Sequence, residues 1–237
     1  MAGGPAAVAP WWSAAAQVLV EDLGTPELGD AELHHLGRVL RLRPGAAVCA
    51  TDGRGGWRLC TFGGTSSLEP SGEEGRQDPP SYEVAVGVAL VKGDRPELVV
   101  QKLTELGVDR IVAFSARRSV VRWDEARAAK HLDRLTKVAR EACAQCRRLH
   151  LPTVELADLS TLRGDGVVIA EAGGRPLGAG DRMVLVGPEG GWEPEELSGR
   201  DTVTLADHVL RAETAAITAG ALLTALRSGR AAAAPTP

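Results

Sequence analysis

A short glycine-rich segment near the carboxyl end has the residue types of a ligand-binding turn. Residues 184–192, VLVGPEGGW, lead from an apolar strand pattern into a turn with glycines at 187, 190 and 191. Glycine has no Cβ, so the backbone N–H and C=O groups can approach a ligand closely. The Lys and Ser/Thr of a phosphate-binding loop are absent, and Glu189 and Glu193 would repel a pyrophosphate. A cationic or neutral ligand is therefore favoured, although a tight strand-to-helix turn without a ligand explains the same residues.

Two further segments place polar residues where a strand pattern ends. Residues 205–215, LADHVLRAETA, bring Arg211, Glu213 and Thr214 close to the start of the last predicted helix. Residues 92–107, KGDRPELVVQKLTELG, form a charged strand-to-helix junction. Ligands of open α/β sheets bind at the carboxyl ends of the strands. The sequence therefore predicts that these segments contribute to one site at a sheet edge.

Other patterns that could carry chemistry are weak in this chain. Cys143 and Cys146 have CxxC spacing but no second pair, and they lie within a predicted helix, so we interpret them as small packing residues. His34 and His35 are adjacent, and no HExxH or GxSxG motif occurs, which disfavours a metalloprotease or a serine hydrolase. We expect no metal site. Packing is the expected role of each tryptophan, with stacking on a base left open for Trp192.

Charge is distributed unevenly along the chain. The net charge is −4, yet residues 110–150 contain eleven basic and four acidic residues, and residues 33–62 contain five arginines and one acid. Two basic patches on an acidic body suit a polyanion such as RNA. An ordinary solvated surface explains the same charges. Charge alone leaves both interpretations open.

Composition places the chain among globular proteins. Hydrophobic residues make up 44% and charged residues 24% of its 237 residues. It contains no stretch of 18 uncharged apolar residues, so a membrane span is not expected. Residues 1–20 are Ala-rich but contain no basic stretch and include Pro5 and Pro10, so they do not resemble a signal peptide. Together with the four cysteines, this favours a cytoplasmic protein.

Two parts of the chain differ in their predicted architecture. Residues 1–66 have short strand patterns (15–20, 46–51 and 57–62) and a helix pattern at 31–39, joined by turn residues, which favours a small β-barrel. Gly, Ser, Glu and Pro dominate residues 63–81, of which we interpret residues 67–81 as a linker.

From residue 82 to residue 230, strand patterns alternate with helix patterns, which predicts an α/β domain with a mainly parallel sheet. Asp94 and Glu97 predict a capping box at the start of the first helix. Residues 231–237 are expected to form a disordered tail. The predicted strands are 82–91, 110–114, 167–170, 182–186 and 203–205, and the predicted helices are 95–106, 123–148 and 213–227.

These segments, in this order, resemble one protein family. The resemblance covers residues 33–227 and includes HLGRVLR at 35–41, Asp52 with Gly53, RSVVR at 118–122 and EACAQCRR at 141–148. The family is the RsmE family of uracil-N3 methyltransferases, which act on small-subunit (16S) ribosomal RNA and belong to the SPOUT superfamily.

The resemblance implies an architecture and partners. Residues 1–66 would be a PUA-like β-barrel that binds RNA. Residues 82–230 would be a SPOUT methyltransferase domain with a C-terminal trefoil knot, an expectation that rests on the resemblance alone because knotted chains are rare. The protein would be a homodimer that uses S-adenosylmethionine and acts on 16S rRNA or the small ribosomal subunit, with no membrane or metal involved.

The resemblance also assigns roles to individual residues. Arg211 would orient the uracil and stabilise charge on its carbonyl oxygens. Glu213 and Asp207 are candidates for handling the N3 proton, which water could also take. The residues implied in cofactor binding are Ile169, Glu171, Gly187, Pro188, Glu189, Gly190, Gly191, Leu205, Val209, Leu210, Thr214 and Ala215. Those implied in RNA binding are Arg38, Arg41, Arg118, Arg122, Arg134, Lys137, Arg140 and Arg148.

Four positions depart from the family pattern. Ala206 replaces a Gly and His208 replaces an Arg beside the expected cofactor site. Arg117 stands in place of a Glu and Arg147 in place of a Gly, and both add positive charge. These departures keep two alternatives open: a catalytically silent rRNA-binding assembly factor, and a related methyltransferase acting on another RNA or on a small molecule.

Overall fold

The computed structural model describes residues 9–90, 95–119, 123 and 125–232. These residues form two compact units. The first contains the chain up to residue 79 together with residues 143–151, and the second contains residues 80–142 and the chain from residue 152 onward. Asp94, Arg122 and most of the predicted tail lie outside the described residues.

The first unit is built on a four-stranded sheet in the order β1-β2-β3-β4. β1 runs parallel to β2, and the other neighbours are antiparallel. Side chains from all four strands pack with Leu36 into one core, which includes Val48, Phe62 and Leu68. The structure confirms the three predicted strands, and the four strands are β1 (Ala16–Leu19), β2 (Ala46–Thr51), β3 (Gly56–Phe62) and β4 (Leu68–Arg76).

The interpretation of residues 67–81 as a linker is wrong for residues 68–76, which form β4. Leu68–Arg76 pairs with β3 over most of its length, but Leu68 is its only buried residue. An edge strand that faces water on both sides shows no apolar alternation, and it tolerates residues such as Pro70. The polar composition that suggested a linker is thus the composition of an exposed edge. Ahead of it in the chain lie α1 (Asp30–His34) and a π-helical turn (His35–Val39).

Residues 143–151 anchor to β1 in the first unit. The Gln17 side chain donates to the carbonyl oxygens of Arg148 (2.7 Å) and Cys143 (3.3 Å). Arg147 has φ of 63°, a left-handed conformation that favours glycine at a helix end. This explains why the family pattern has glycine there. The Arg147 guanidinium donates to the carbonyl oxygen of Ala14 at 2.9 Å, so its charge serves a local contact.

The second unit contains a six-stranded sheet in the order β10-β8-β9-β5-β6-β7, in which every neighbouring pair is parallel. This confirms the predicted α/β fold. β7 was not predicted, because its short TVELA pattern is only partly buried. The strands are β5 (Ala85–Ala89), β6 (Arg110–Phe114), β7 (Thr153–Ala157), β8 (Val167–Pro176), β9 (Met183–Val186) and β10 (Thr202–Thr204).

The last helix of this unit, residues 212–227, packs on the sheet and against a second helix. At Gly220 of this helix an added Cβ would sit 2.5 Å from Leu103 Cδ2, so any larger residue there would require the Leu103 side chain to shift. The helices are α2 (Arg95–Leu106), α3 (Glu125–Cys146), α4 (Pro194–Leu197) and α5 (Ala212–Arg227). Among the described residues, none of these helices is both long enough and apolar enough to cross a lipid bilayer.

Candidate functional site

A cavity of about 430 Å³ lies at the carboxyl ends of β9 and β10 and beside the middle of β8 in the second unit. These three strands are neighbours in the sheet, and the start of α5 closes the cavity with Ala212 and Ala215. Open α/β sheets bind ligands at this edge, and the volume is in the range of small-molecule sites. The remaining lining residues are 170–173, 186–189, 191–192 and 204–210.

The first wall comes from an interruption in β8. Ile169 is opposite Thr202 of β10, but the next pair joins Val203 to Arg175, so residues 170–174 leave this ladder. Gly173 has a φ of 79°, and a Cβ on Gly174 would lie 2.6 Å from the backbone of β10. The glycine pair therefore permits the excursion and the close return.

The second wall is the glycine turn, residues 187–192. Trp192 is buried beneath it and stacks on Phe114, with ring centroids 5.9 Å apart and an interplanar angle of 13°. The indole Nε1–H donates to the Ala170 carbonyl oxygen at 3.2 Å, which joins the turn to the first wall. A Cβ on Gly187 would lie 2.7 Å from the Trp192 ring, so glycine is required there. Trp192 packs in the core and also lines the cavity.

Arg118 contacts the glycine turn from outside the cavity. Its Nε donates to Glu193 Oε1 at 2.8 Å, and its Nη1 donates to the Gly190 carbonyl oxygen at 3.0 Å. The hydrogen bond to Glu193 raises the pKa of Arg118, and the same bond lowers the pKa of Glu193. Both side chains therefore stay charged near neutral pH.

A buried carboxylate secures the end of the turn. Glu196 Oε2 accepts the backbone N–H of Glu193, and its Oε1 accepts the backbone N–H of Arg117, each at 2.9 Å. Glu196 is only 9% exposed, and both oxygens have a donor. One carboxylate thus ties the start of α4 to the turn that follows β6.

The third wall, residues 204–210, is more open. The Thr204 hydroxyl donates to the Ala206 carbonyl oxygen at 3.2 Å. Ala206, Asp207 and His208 line the cavity but are exposed, and Val209 is 95% exposed although it is apolar. This wall presents its side chains to solvent.

The structure brings most of the predicted cofactor residues together. Nine of the twelve line the cavity, whereas Ile169 is fully buried in the core, and neither Gly190 nor Thr214 is among the lining residues. Arg211 is exposed at the N-cap of α5, and Glu213 is half-buried in its first turn; neither lines the cavity. The nine are Glu171, Gly187, Pro188, Glu189, Gly191, Leu205, Val209, Leu210 and Ala215.

Several lining residues were missed by the sequence prediction. Ala172 and Gly173 belong to the β8 excursion, Thr204 begins the third wall, and Ala212 follows that wall in α5. The adjacent glycines 173 and 174 in a strand pattern were the available signal, since glycine within a strand often marks a bulge.

Acidic side chains dominate the charge of the cavity wall. Three carboxylates, Glu171, Glu189 and Asp207, line it, and His208 is the one basic residue among the lining residues that the structure describes. Such a wall favours a cationic ligand. Within the described part of the chain, no three His, Cys, Asp or Glu side chains group in a way that could hold a metal ion.

None of the predicted RNA-binding residues that the structure describes lines the cavity, and Arg118 contacts the glycine turn. Arg134, Lys137 and Arg140 are exposed along α3, where Arg134 pairs with Glu97 (2.8 Å) and Lys137 with Asp133 (2.7 Å). In the first unit Arg38 and Arg41 are exposed beside the π-helical turn, and Arg148 is half-buried after α3.

Family comparisons agree with the two units. Residues 78–224 match the model of an RNA methyltransferase domain, and residues 28–67 match that of an RNA methyltransferase PUA domain. The ribosomal RNA small subunit methyltransferase E of Mycobacterium bovis is 35% identical over 217 residues, covering 78% of this chain and 80% of that protein. Its Bacillus subtilis namesake is 31% identical over 228 residues, covering 83% and 88%.

Solved structures are also similar. The ribosomal RNA small subunit methyltransferase E of Neisseria gonorrhoeae, bound to S-adenosyl methionine, has a TM-score of 0.76 at 28% identity, covering 89% of this chain and 97% of that one. A protein from Legionella pneumophila in complex with the bound cofactor SAM has a TM-score of 0.78 at 25% identity, covering 88% and 96%. This chain therefore belongs to the RsmE family, the ribosomal RNA small subunit methyltransferases E.

Proposed function

We propose that this protein transfers the methyl group of S-adenosylmethionine to N3 of a uridine in 16S rRNA. The observation that carries the proposal is the cavity at the carboxyl edge of the parallel sheet, walled by the glycine turn and by residues 204–210. Both segments were predicted to bind the cofactor, and related proteins have been solved with it bound.

The lining residues fit this cofactor. When bound, S-adenosylmethionine supplies a methyl group on a positively charged sulfur. Glu171, Glu189 and Asp207 provide negative charge, and the glycine turn offers backbone groups without a Cβ in the way. Leu205 and Leu210 provide apolar contact surface for an adenine.

The rim of the cavity would hold the base. N3 lies on the pairing edge of uracil, so the target uridine must be unpaired when it reacts. Arg211 is exposed between the lining residues Leu210 and Ala212, where a guanidinium can reach a uracil carbonyl oxygen. Asp207 lines the cavity and Glu213 does not, which favours Asp207 of the two for accepting the N3 proton.

RNA would bind through exposed basic side chains. Arg134, Lys137 and Arg140 on α3 offer charge to phosphates, and residues 28–67, which match a PUA domain, include Arg38 and Arg41. Phosphate contacts release counterions, so affinity should fall as salt rises.

We further propose a barrel-like first unit, a C-terminal trefoil knot, a homodimer and a cytoplasmic location. The support is the family resemblance, together with the match of residues 28–67 to a PUA domain. Sedimentation should then give about twice the 24.8 kDa mass of one chain. A mass that stays at one chain at micromolar concentration would contradict the dimer.

Two experiments test the proposed function. Mass-spectrometric mapping of rRNA with and without the gene should show one uridine losing its N3 methyl group. Isothermal titration calorimetry with S-adenosylmethionine should show binding. No binding would favour a catalytically silent assembly factor, in which Ala206 and His208 replace the Gly and Arg of the family pattern.

The RNA surface has its own test. Replacing Arg134, Lys137 and Arg140 together with Gln should weaken binding to ribosomal substrate strongly and reduce its salt dependence, by about one unit of log–log slope for each lost phosphate contact. Replacing the exposed Arg163 and Arg230 with Gln is the control. Unchanged activity in the triple variant would favour a methyltransferase with a different substrate.

A further inference from the structure

Arg118 was predicted to bind RNA, but its side chain lies on the outer side of the glycine turn. We propose that Arg118 is a positioning residue for cofactor binding: it fixes the glycine turn, residues 187–192, in the shape that the cavity requires. The proposal rests on the proposed function only in naming S-adenosylmethionine as the ligand.

The backbone that carries the Arg118 side chain is fixed by hydrogen bonds between its neighbours. Ser119 is buried, and its hydroxyl accepts the backbone N–H of Ala116 at 3.0 Å. The Ser119 N–H donates back to the Ala116 carbonyl oxygen, also at 3.0 Å. These bonds close a tight turn after β6. The Arg118 side chain therefore leaves the sheet from a defined point.

The guanidinium makes two different contacts with the turn. Nε reaches the Glu193 carboxylate at the N-cap of α4, and Nη1 reaches the Gly190 carbonyl oxygen within the turn. A planar fork can donate in both directions at once, whereas a lysine ammonium acts as a point charge. An added Cβ on Gly190 would lie 3.2 Å from the Arg118 Cβ, which shows how closely the two segments approach.

Arg117 provides an internal comparison. It is the preceding residue, and its side chain pairs with Glu195 at 3.3 Å, with both side chains about two-thirds exposed. Such a surface pair contributes little. Arg117 and Arg118 thus carry the same charge on the same turn, but in the described contacts only the Arg118 side chain reaches the glycine turn.

Three variants separate positioning from general charge: Arg118→Ala, Arg118→Lys and Arg117→Ala. Calorimetry with S-adenosylmethionine should show about tenfold weaker binding for Arg118→Ala, the usual scale of one charge-assisted hydrogen bond. Arg118→Lys should bind with intermediate affinity because it keeps the pair with Glu193 and loses the Gly190 contact. Arg117→Ala should bind like the wild type.

A double-variant cycle tests whether the contact with Glu193 carries the effect. If Arg118 acts through Glu193, Arg118→Ala combined with Glu193→Gln should weaken cofactor binding by less than the product of the two single effects. Binding of rRNA should fall by similar factors in Arg117→Ala and Arg118→Ala, because each removes one positive charge. Thermal unfolding should shift little in either variant, since the Arg117–Glu195 pair is exposed and the Arg118–Glu193 pair is partly exposed.

Hydrogen exchange keeps this test independent of the cofactor. Without any ligand, amides of residues 187–193 should exchange faster in Arg118→Ala than in the wild type or in Arg117→Ala. Wild-type affinity and wild-type exchange in Arg118→Ala would overturn the positioning role, as would equal losses of cofactor affinity in the two alanine variants. If the wild-type protein itself does not bind S-adenosylmethionine, the proposed function fails, and the exchange data still decide the role of Arg118.

Discussion

Two walls of the same cavity are held in different ways. The glycine turn is tied to the rest of the unit by Trp192 packing on Phe114, by the Trp192 bond to Ala170 and by the contacts of Arg118. The wall at residues 204–210 presents exposed side chains, including an apolar Val209 that is 95% in solvent. The glycine turn is anchored in the core through Trp192, whereas residues 204–210 lie at the surface.

The difference shows how a site can combine a fixed part with an adaptable one. A turn held before the ligand arrives costs less ordering free energy on binding. An exposed apolar side chain beside a cavity gains free energy only when something covers it. We therefore expect the glycine turn to keep its shape without a ligand, and residues 204–210 to become ordered when the cofactor binds.

The largest effect should come from removing the anchor of the fixed wall. Trp192→Ala deletes a buried ring that stacks on Phe114, so it should lower the free energy of unfolding by about 3–5 kcal/mol. Urea denaturation measures this directly. Trp192→Phe keeps a ring but loses the N–H donor to Ala170, and it should cost about 1 kcal/mol. An unchanged unfolding midpoint in Trp192→Ala would mean that the turn is not anchored in the core.

The fixed wall was also the easier one to predict. Glycines 187, 190 and 191 follow an apolar strand directly, so residue type and position together indicated a turn at a sheet edge. The parallel sheet was also predictable, because strands that are buried on both faces have continuous apolar sequences.

What could not be predicted depends on partners that are distant in the chain. The β8 excursion is set by its register against β10, where Ile169 and Arg175 take successive partners. β4 is polar because it is an edge strand, and its pairing with β3 is invisible in its own composition. Arg147 added a charge in the sequence, but the structure uses its guanidinium to hold the backbone at Ala14.

The open wall gives the second prediction. Val209→Ser should leave the free energy of unfolding within about 0.5 kcal/mol of wild type, because the side chain is exposed. It should weaken S-adenosylmethionine binding about tenfold if the cofactor buries this side chain. Calorimetry measures the cofactor affinity, and urea denaturation of the same preparation measures the free energy of unfolding.

Val39 supplies a matched control, since it is 59% exposed in the first unit. Val39→Ser should change neither quantity. Hydrogen exchange sharpens the comparison further: amides of residues 187–192 should be protected without ligand, and those of residues 204–210 only after the cofactor is added. Equal protection of both walls before ligand addition would contradict the distinction between them.

The smallest effect concerns the clamp that closes the β8 excursion. Arg175, the residue that rejoins β10, donates to both oxygens of Asp181 at 2.8 and 2.7 Å, and the Gly178 N–H donates to the same carboxylate at 2.7 Å. Burial raises the pKa of Asp181, but these hydrogen bonds outweigh it and hold the pKa below its ordinary value of 3.8. The ionised carboxylate therefore stabilises the folded state.

Asp181→Asn should then lower the free energy of unfolding by about 1 kcal/mol at neutral pH, a modest value because Arg175 is partly exposed. A carboxylate with a lowered pKa contributes its stability above the ordinary value of 3.8 and loses it as pH falls through the folded-state value. Urea denaturation at about pH 7 and about pH 3 should show the gap between wild type and variant narrowing in acid. Asp201→Asn, which removes a 3.7 Å contact of the same Arg175, should show almost no gap at either pH. A gap that stays constant across this range would mean that the Asp181 charge does not hold the β8 excursion in place. The first wall would then resemble residues 204–210, which are not held in place before the ligand binds.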